Sequence, residues 1–393
     1  MKSGSSKPPR VLLLGVEESP ALPIIWSLVR RSVAVTVASH RRICAGMLSR
    51  FPARRRICPD PVKSSDRFVE WLIAEVRTGE YPVTLACGEQ ATYLLSKHKP
   101  DLAPHTSIPI VDLDVFMTCR DKSQTMKAAA ECGVPTPLTW YPEDGGIESV
   151  SAGATYPAVL KPCVSDGARG ISFARSPDEL RRLYPPTRSR YGPCIVQEFI
   201  PHEGMQYKAE LLLDRSSRVK LGGVYAKLRY YPPTGGSSTL NQTVRRPEIV
   251  EQGARILRHL GWYGMGDCDF IVDPRDGVAK LMEVNPRFTR TIRVLVEAGL
   301  DFPYELYRLA MGEVPRETSA YSLDIFLRYL PADLVWFLRS KDRFRTRPSF
   351  FRFIGRDLFY EEWSLRDPLT GVGFWFVLLL DMVDPLKRRS RLR

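Results

Sequence analysis

Hydrophobic and polar positions alternate in the stretch LMEVNPRF, residues 281–288. Glu283, Asn285 and Arg287 occupy every second position, so in a β-strand their side chains would project from one face and the apolar side chains between them from the other. Carboxylate and amide oxygens suit a hard cation such as Mg2+, and an arginine suits a phosphate or carboxylate. The pattern predicts a strand with a metal- or anion-binding face, although an ordinary solvated strand alternates in the same way.

The beginning of the chain predicts a βαβ unit. Apolar strand patterns at 11–14 and 33–38 flank a helical pattern over about 19–31, and such a unit implies a parallel sheet. The turn at Gly15 lacks the GxGxxG sequence of a phosphate loop, so we expect no dinucleotide there.

Further strands and one helix are predicted between residues 83 and 285. A strand is expected at 83–86, and the segment DKSQTMKAAAECG predicts a helix stopped by Gly133 and Pro135. The segments YPAVLKP and PCIVQEFI predict strands flanking the loop CVSDGARG. Four more strand candidates follow: QYKAELLLD, KLGGVYAKL, GDCDFIVD and AKLMEVN. After about residue 316 the chain becomes aromatic and basic, with no recognisable motif.

Composition narrows the class of protein. The chain has 393 residues, 44% of them hydrophobic, and a formal net charge of +13, which predicts two or three globular domains and allows anionic partners. No zinc-like spacing or RNA-binding signature is present, so we expect no nucleic-acid partner. The eight cysteines form no CxxC pair, which indicates reduced thiols, and the polar first ten residues are not typical of a secretory signal. We therefore expect a cytoplasmic protein.

Two stretches suggest nucleotide chemistry. Lys161 ends an apolar strand pattern and is followed by SDGARG, whose Gly167 and Gly170 would let backbone amides approach phosphate oxygens. This signal is weak alone, because a glycine turn after a strand is usually only a turn. Gln197 and Glu198 lie in an apolar strand that could present backbone groups to an adenine edge, or could be an ordinary edge strand.

A hairpin would complete the metal face. Asp269 precedes Glu283 by fourteen positions, with the turn sequence DPRDG between them. Two antiparallel strands joined by that turn would bring Asp269 beside Glu283 and Asn285, giving three oxygen ligands.

The order of these motifs resembles the ATP-grasp superfamily of carboxylate-amine ligases, in its carbamoyl phosphate synthetase-like branch. The resemblance covers about residues 1–315 and rests on RDKSQTMKAAAECGVPTP, AVLKPCVSDGARGI, VQEFIPHEG, KLRYYPPTGGSST and GDCDFIVDPRDGVAKLMEVNPRF. It implies an α/β and α+β multidomain fold. We expect a Rossmann-like N-terminal domain over 1–115, a two-subdomain ATP-grasp fold over 116–315, and a C-terminal extension of unknown role over 316–393.

The resemblance also implies site residues. ATP would be bound by Lys122, Lys161, Ser165, Gly167, Gly170, Gln197, Glu198, Phe199 and Ile200, with Glu203 or Gln206 at the ribose. Mg2+, or Mn2+, would be held by Asp269, Glu283 and Asn285. Arg287, Arg290 and Arg229 would hold an anionic substrate or an acyl phosphate; Arg229 is equally well explained as a surface strand residue. Arg290 stands where relatives commonly have a small residue.

The resemblance implies an ATP- and Mg2+-dependent ligase that activates a carboxylate as an acyl phosphate and joins it to an amine. This chemistry needs no protein nucleophile, and the chain has no serine or cysteine triad signature. The carboxylate would be a small molecule or linked to a glycan. The alternative is a nucleotide-binding regulatory protein without turnover, which loss of a metal ligand would favour.

The tail, residues 371–393, allows two interpretations. Its apolar stretch is far shorter than the ~20 residues that span a bilayer. In one interpretation it packs Phe374, Trp375, Leu378 and Leu379 on the body of the protein. In the other it lies on the inner face of a membrane, where Lys387, Arg388, Arg389, Arg391 and Arg393 attract anionic lipid.

Overall fold

The structure is a computed structural model that describes residues 10–165, 169–201, 205–232 and 236–383. Three sheets organise these residues. The first is a four-stranded parallel sheet of order β3-β2-β1-β4, formed by β1 (Arg10–Leu14), β2 (Ala34–Ser39), β3 (Arg54–Ile57) and β4 (Val83–Ala86). Its helices are α1 (Ala21–Arg30), α2 (Ala45–Leu48), α3 (Ser65–Val76), α4 (Glu89–Lys97) and α5 (Lys99–Leu102).

The predicted βαβ unit is confirmed by the parallel pairing of β1 with β2. Residues 11–14 are fully buried, because β1 has packed apolar side chains on both faces, as parallel strands generally do. The wider assignment to a Rossmann-like topology stays a prediction.

A second, smaller sheet has the order β5-β8-β6-β7 and is antiparallel. Its strands are β5 (Thr139–Trp140), β6 (Ala158–Pro162), β7 (Ser172–Ala174) and β8 (Cys194–Glu198), and the helices before and around it are α6 (Leu113–Arg120), α7 (Lys122–Glu131), α8 (Pro142–Gly145), α9 (Ile147–Gly153) and α10 (Pro177–Tyr191). The predicted helix is α7. The Asp121 carboxylate caps it by accepting from the backbone amides of Ser123 and Gln124.

The third sheet has seven strands in the order β13-β12-β9-β10-β11-β14-β15. Its antiparallel centre is β9 (Gln206–Leu213), β10 (Val219–Tyr231), β11 (Ser237–Val244), β12 (Gly264–Val272) and β13 (Ala279–Asn285), and α11 (Pro247–His259), α12 (Arg293–Glu297) and α13 (Phe302–Ala310) accompany it. The four predicted strands of this region are confirmed, whereas β11 was not predicted. One apolar cluster joins side chains of this sheet, such as Leu212 and Tyr225, to the core of the first sheet.

The C-terminal segment continues the large sheet. β14 (Phe326–Arg328) pairs with β11, and β15 (Leu358–Tyr360) pairs with β14; α14 (Leu330–Arg339) lies between them, and α15 (Leu369–Val383) follows. Phe374 of α15 contacts Tyr329 with ring centroids 5.8 Å apart, as the packed interpretation of the tail predicts. Trp375 and Leu379 instead remain 42% and 59% exposed, so that interpretation is wrong for these two side chains.

Candidate active site

The antiparallel pairing of β12 with β13 builds the acidic part of the site. Asp269 lies opposite Glu283 and Asp267 opposite Asn285, so the predicted hairpin is confirmed. The Asn285 amide nitrogen lies 3.0 Å from an Asp267 oxygen and 3.3 Å from a Glu283 oxygen. Arg287 donates to the Asn285 amide oxygen at 3.2 Å. The three polar side chains of LMEVNPRF therefore form one connected group.

Two lysines that the sequence interpretation missed hold the acids in place. Lys208 of β9 lies 2.6 Å from both Asp267 and Asp269, and Lys227 of β10 donates to the other Asp269 oxygen. Burial raises the pKa of Asp269, but Lys208 and Lys227 outweigh it and keep that pKa well below its usual value. Burial raises the pKa of Asp267 to about 6, against the attraction of Lys208. Both lysines stand in predicted strands, and only the strand order brings them to the acids.

A buried acid lies behind this group. Glu210 of β9 is fully buried and accepts hydrogen bonds from Thr289 at 2.6 Å and from the Tyr225 hydroxyl at 3.2 Å. Burial, followed by repulsion from Asp267, raises the pKa of Glu210 well above its usual value. Thr289, the residue before Arg290, thus has a structural partner in Glu210.

The oxygen set suits a hard cation only in part. Within the part of the chain that the structure describes, no group of three or more His, Cys, Asp or Glu side chains is arranged to hold a metal. A Mg2+ ion would rely on Glu283, the Asn285 amide oxygen and Asp269, which are hard oxygen donors. At Asp269 the ion would take the place of a lysine ammonium group.

The small sheet brings cations towards these acids. Lys161 of β6 donates to the Gln197 amide oxygen at 2.7 Å, and Lys122 donates to the backbone carbonyl of Ser165 at 3.0 Å. Burial, followed by repulsion from Lys122, lowers the pKa of Lys161 to about 8, while the Glu283 carboxylate opposes this shift. Lys161 of the small sheet therefore lies within electrostatic range both of Lys122, which begins α7, and of Glu283 in the large sheet.

The loop after β6 requires a glycine at its end. Gly170 has a φ of +75°, and a Cβ atom there would lie 2.7 Å from Pro162 and 2.9 Å from Tyr191. Any other residue would be strained by its backbone and by these contacts. Gly167, predicted in the same loop, lies outside the described residues.

The predicted adenine segment uses its side chains structurally. Glu198 accepts from the Leu138 amide at 3.0 Å, from Arg275 at 2.6 Å and from Lys280 at 3.0 Å, which ties β8 to the β12–β13 hairpin. Phe199 packs edge-on against Phe173. The Glu198 side chain is thus occupied within the protein, and contact of this segment with adenine stays a prediction.

Ile200 is buried, and Gln206 opens β9 opposite Lys227. Glu203 lies outside the described residues. The choice between Glu203 and Gln206 at the ribose stays open.

The three predicted substrate arginines lie in different surroundings. Arg287 donates a hydrogen bond to the Asn285 amide oxygen. Arg290 donates to the Ser238 carbonyl, lies 3.4 Å from Glu361 and sits over the Tyr329 ring, so the C-terminal segment helps to hold it.

Arg229 is a buried residue of β10 and not a surface residue. Its guanidinium is 2% exposed and ion-paired at 3.0 Å with Asp333, which also pairs with Arg328. Burial lowers the pKa of Arg229 to about 10. In the structure the Arg229 guanidinium is thus engaged with Asp333, and its role in binding substrate stays a prediction.

Comparison with known proteins agrees with this geometry. Residues 119–291 match the ATP-grasp domain family. The chain is 28% identical over 194 residues to the carbamoyl phosphate synthase large chain of Streptomyces coelicolor, covering 45% of this chain and 17% of that protein. It is 25% identical over 239 residues to the D-aspartate ligase of Enterococcus faecium, covering 55% of this chain and 56% of that one. The chain thus spans less than two thirds of these relatives.

Solved structures show the same fold. The biotin carboxylase domain of the Hydrogenobacter thermophilus 2-oxoglutarate carboxylase, in complex with MgADP and bicarbonate, superposes with a TM-score of 0.67 at 15% identity, covering 82% of this chain and 74% of that one. At this identity the likeness concerns the fold alone.

Proposed function

We propose that the ATP-grasp domain of this protein, residues 119–291, makes it an ATP- and Mg2+-dependent ligase that activates a carboxylate as an acyl phosphate and joins it to an amine. One observation carries the proposal. Lys161 of β6, in the small sheet, lies within electrostatic range of Glu283 of β13, in the large sheet, and of Lys122 of α7. Phosphates bound between the sheets would meet cations on one side and, through a metal, carboxylates on the other.

Each residue has a proposed role in this reaction. Lys161 and Lys122 bind the ATP phosphates, and the loop that ends at Gly170 covers them. Glu283, Asn285 and Asp269 hold Mg2+, which neutralises charge as two anions approach each other. Arg287, hydrogen-bonded to Asn285, binds the transferred phosphoryl group or the carboxylate.

The substrates are proposed by class. The relatives include a D-aspartate ligase and a carbamoyl phosphate synthase, which supports a carboxylate and an amine as the reacting groups. The carboxylate is a small molecule, or one attached to a glycan. These identities vary among proteins of one fold, so the fold does not select among them.

An ADP-release screen over pairs of carboxylates and amines tests the proposal, with mass spectrometry of the products. We expect ADP release that requires Mg2+ and both substrates, with an amide as product. Glu283→Gln serves as the inactive control. ADP release that is independent of any carboxylate, or a product without an amide bond, would contradict the proposed reaction.

A further inference from the structure

Helix α15 exposes an apolar stripe on its outer face. Val372, Trp375, Phe376, Leu379 and Leu380 are 39% to 60% exposed. Their spacing of three and four residues places them along one side of the helix. We name this set the α15 stripe.

The opposite side of α15 is fixed to the body of the protein. Gly373 approaches the backbone of Cys44 so closely that a Cβ atom on residue 373 would lie 2.8 Å from it. Val377 packs against the apolar cluster that joins the first sheet to the large sheet. Just before the helix, Asp367 accepts hydrogen bonds from the Trp26 indole at 2.9 Å and from the Arg50 amide at 3.1 Å. The stripe is therefore presented outwards by a firmly seated helix.

Basic residues flank the stripe in the sequence. Arg366, just before the helix, is exposed next to Leu365, which is 85% exposed. In the sequence, the ten residues DPLKRRSRLR that follow Val383 contain five basic residues and one acidic residue. An aromatic and leucine-rich helical face with basic flanks is typical of a helix lying in the interface of an anionic bilayer.

We propose that the α15 stripe docks the protein onto the surface of a membrane containing anionic phospholipid. No described helix is long and apolar enough to cross a bilayer, so the contact is with the surface. A second copy of this chain is a poorer occupant, because two molecules that each carry a net charge of +13 repel each other. The proposal does not depend on the ligase activity, since it concerns binding alone.

Sedimentation of the full chain with vesicles tests this surface. We expect binding to vesicles of phosphatidylcholine mixed with phosphatidylglycerol at low salt, weak binding to phosphatidylcholine alone, and a decline as salt is added. Replacing two large apolar side chains in Trp375→Ser/Leu379→Ser should weaken binding about tenfold or more. Changing the five basic residues of 387–393 to glutamine should remove most of the salt-sensitive part.

Matched variants control for folding and for nonspecific contact. Val62→Ser/Val314→Ser removes two side chains that are 72% and 75% exposed elsewhere, and it should bind as the wild type does. Val372→Ser/Phe376→Ser repeats the test on the same stripe if the first variant melts early. Wild-type binding by both stripe variants, or no binding of the wild type to anionic vesicles, would overturn the proposal. If light scattering shows a wild-type dimer that is absent in the stripe variants, and the wild type does not bind vesicles, the stripe is instead a contact with a second copy of this chain.

Discussion

The ammonium nitrogen of Lys208 lies 2.6 Å from a carboxylate oxygen of Asp269, the residue that the sequence predicts as a metal ligand. The same nitrogen lies 2.6 Å from Asp267, which is fully buried. A lysine between two buried carboxylates reduces their mutual repulsion, as a divalent cation at the same place would. A Mg2+ ion bound at Asp269, as proposed, would compete with Lys208 for this carboxylate.

This competition predicts the behaviour of Lys208→Met. Removing the lysine leaves Asp267 and Asp269 facing each other, so the free energy of unfolding should fall by about 3–5 kcal/mol. Mg2+ should then raise the melting temperature of the variant more than that of the wild type, because the ion replaces the missing charge. Urea unfolding and thermal melts across a Mg2+ titration measure both effects.

Lys227→Met is the matched control. Lys227 contacts Asp269, and removing it leaves the contact between Lys208 and Asp267 in place. We expect a smaller loss of stability and a smaller effect of Mg2+. Equal Mg2+ stabilisation of wild type and both variants would show that the ion does not bind at Asp269.

A second prediction concerns Glu283, which lies opposite Asp269 and within electrostatic range of Lys161. Glu283→Gln removes a negative oxygen donor while keeping the shape of the side chain. It should lower Mg2+-dependent ADP formation by about 100-fold or more, with an unchanged circular dichroism spectrum. Asp276→Asn, in the turn of the same hairpin but largely exposed, should keep wild-type turnover. Full activity in Glu283→Gln would remove this residue from the mechanism.

The acidic hairpin was accessible from sequence because its signals are local. Alternation in LMEVNPRF and the turn DPRDG predict two neighbouring antiparallel strands. The pairing of Asp269 with Glu283 also depends on a register shift between Asp269 and Phe270, which those patterns do not indicate. Lys208 and Lys227 were missed because they reach Asp269 only through the order β12-β9-β10. No short sequence pattern encodes that order.

Strand β11 was missed for a different reason. Its sequence SSTLNQTV is rich in Ser, Thr, Asn and Gln, which is typical of a loop. In the structure most of those side chains are buried, and two of the buried ones bond to later parts of the chain. Thr239 donates to Asp333 at 2.8 Å, and Thr243 donates to the Ser322 carbonyl at 2.9 Å. Distant residues pair with Thr239 and Thr243 of this polar strand, and a sequence window does not contain those partners.

A third prediction separates Arg229 from Arg287. Arg229→Met removes one of two arginines from the buried Asp333 carboxylate and leaves Arg328 paired with it. The free energy of unfolding should therefore fall by only about 1–2 kcal/mol, chiefly through the lost contact with the Trp336 ring. The folded fraction should keep the wild-type KM values. Arg287→Met should instead reduce turnover with little change in melting temperature. Urea unfolding and steady-state kinetics on both variants test the contrast, and a specific rise in KM without destabilisation in Arg229→Met would return Arg229 to the substrate site.

The last prediction concerns the charge on Lys161, whose pKa is lowered from 10.5 to about 8, chiefly by burial. Below about pH 8 the lysine is charged in both the folded and unfolded chain; between about 8 and 10.5 the unfolded chain holds this proton more tightly, so the contribution of Lys161 to stability rises with pH. Binding of a non-hydrolysable ATP analogue should show the opposite trend. Binding of the analogue needs the positive charge of Lys161, so calorimetry should show the affinity for the analogue falling as the pH rises above about 8.

Two substitutions isolate this effect. Lys161→Arg keeps its charge over the whole range, so its affinity should lack the decline around pH 8. Lys161→Met should bind weakly at every pH yet melt no earlier than the wild type at neutral pH, because it also removes the cost of burying a charge. If Lys161→Arg declines with the same midpoint as the wild type, another group controls the pH dependence. Unchanged affinity in Lys161→Met would exclude Lys161 from the phosphate site altogether.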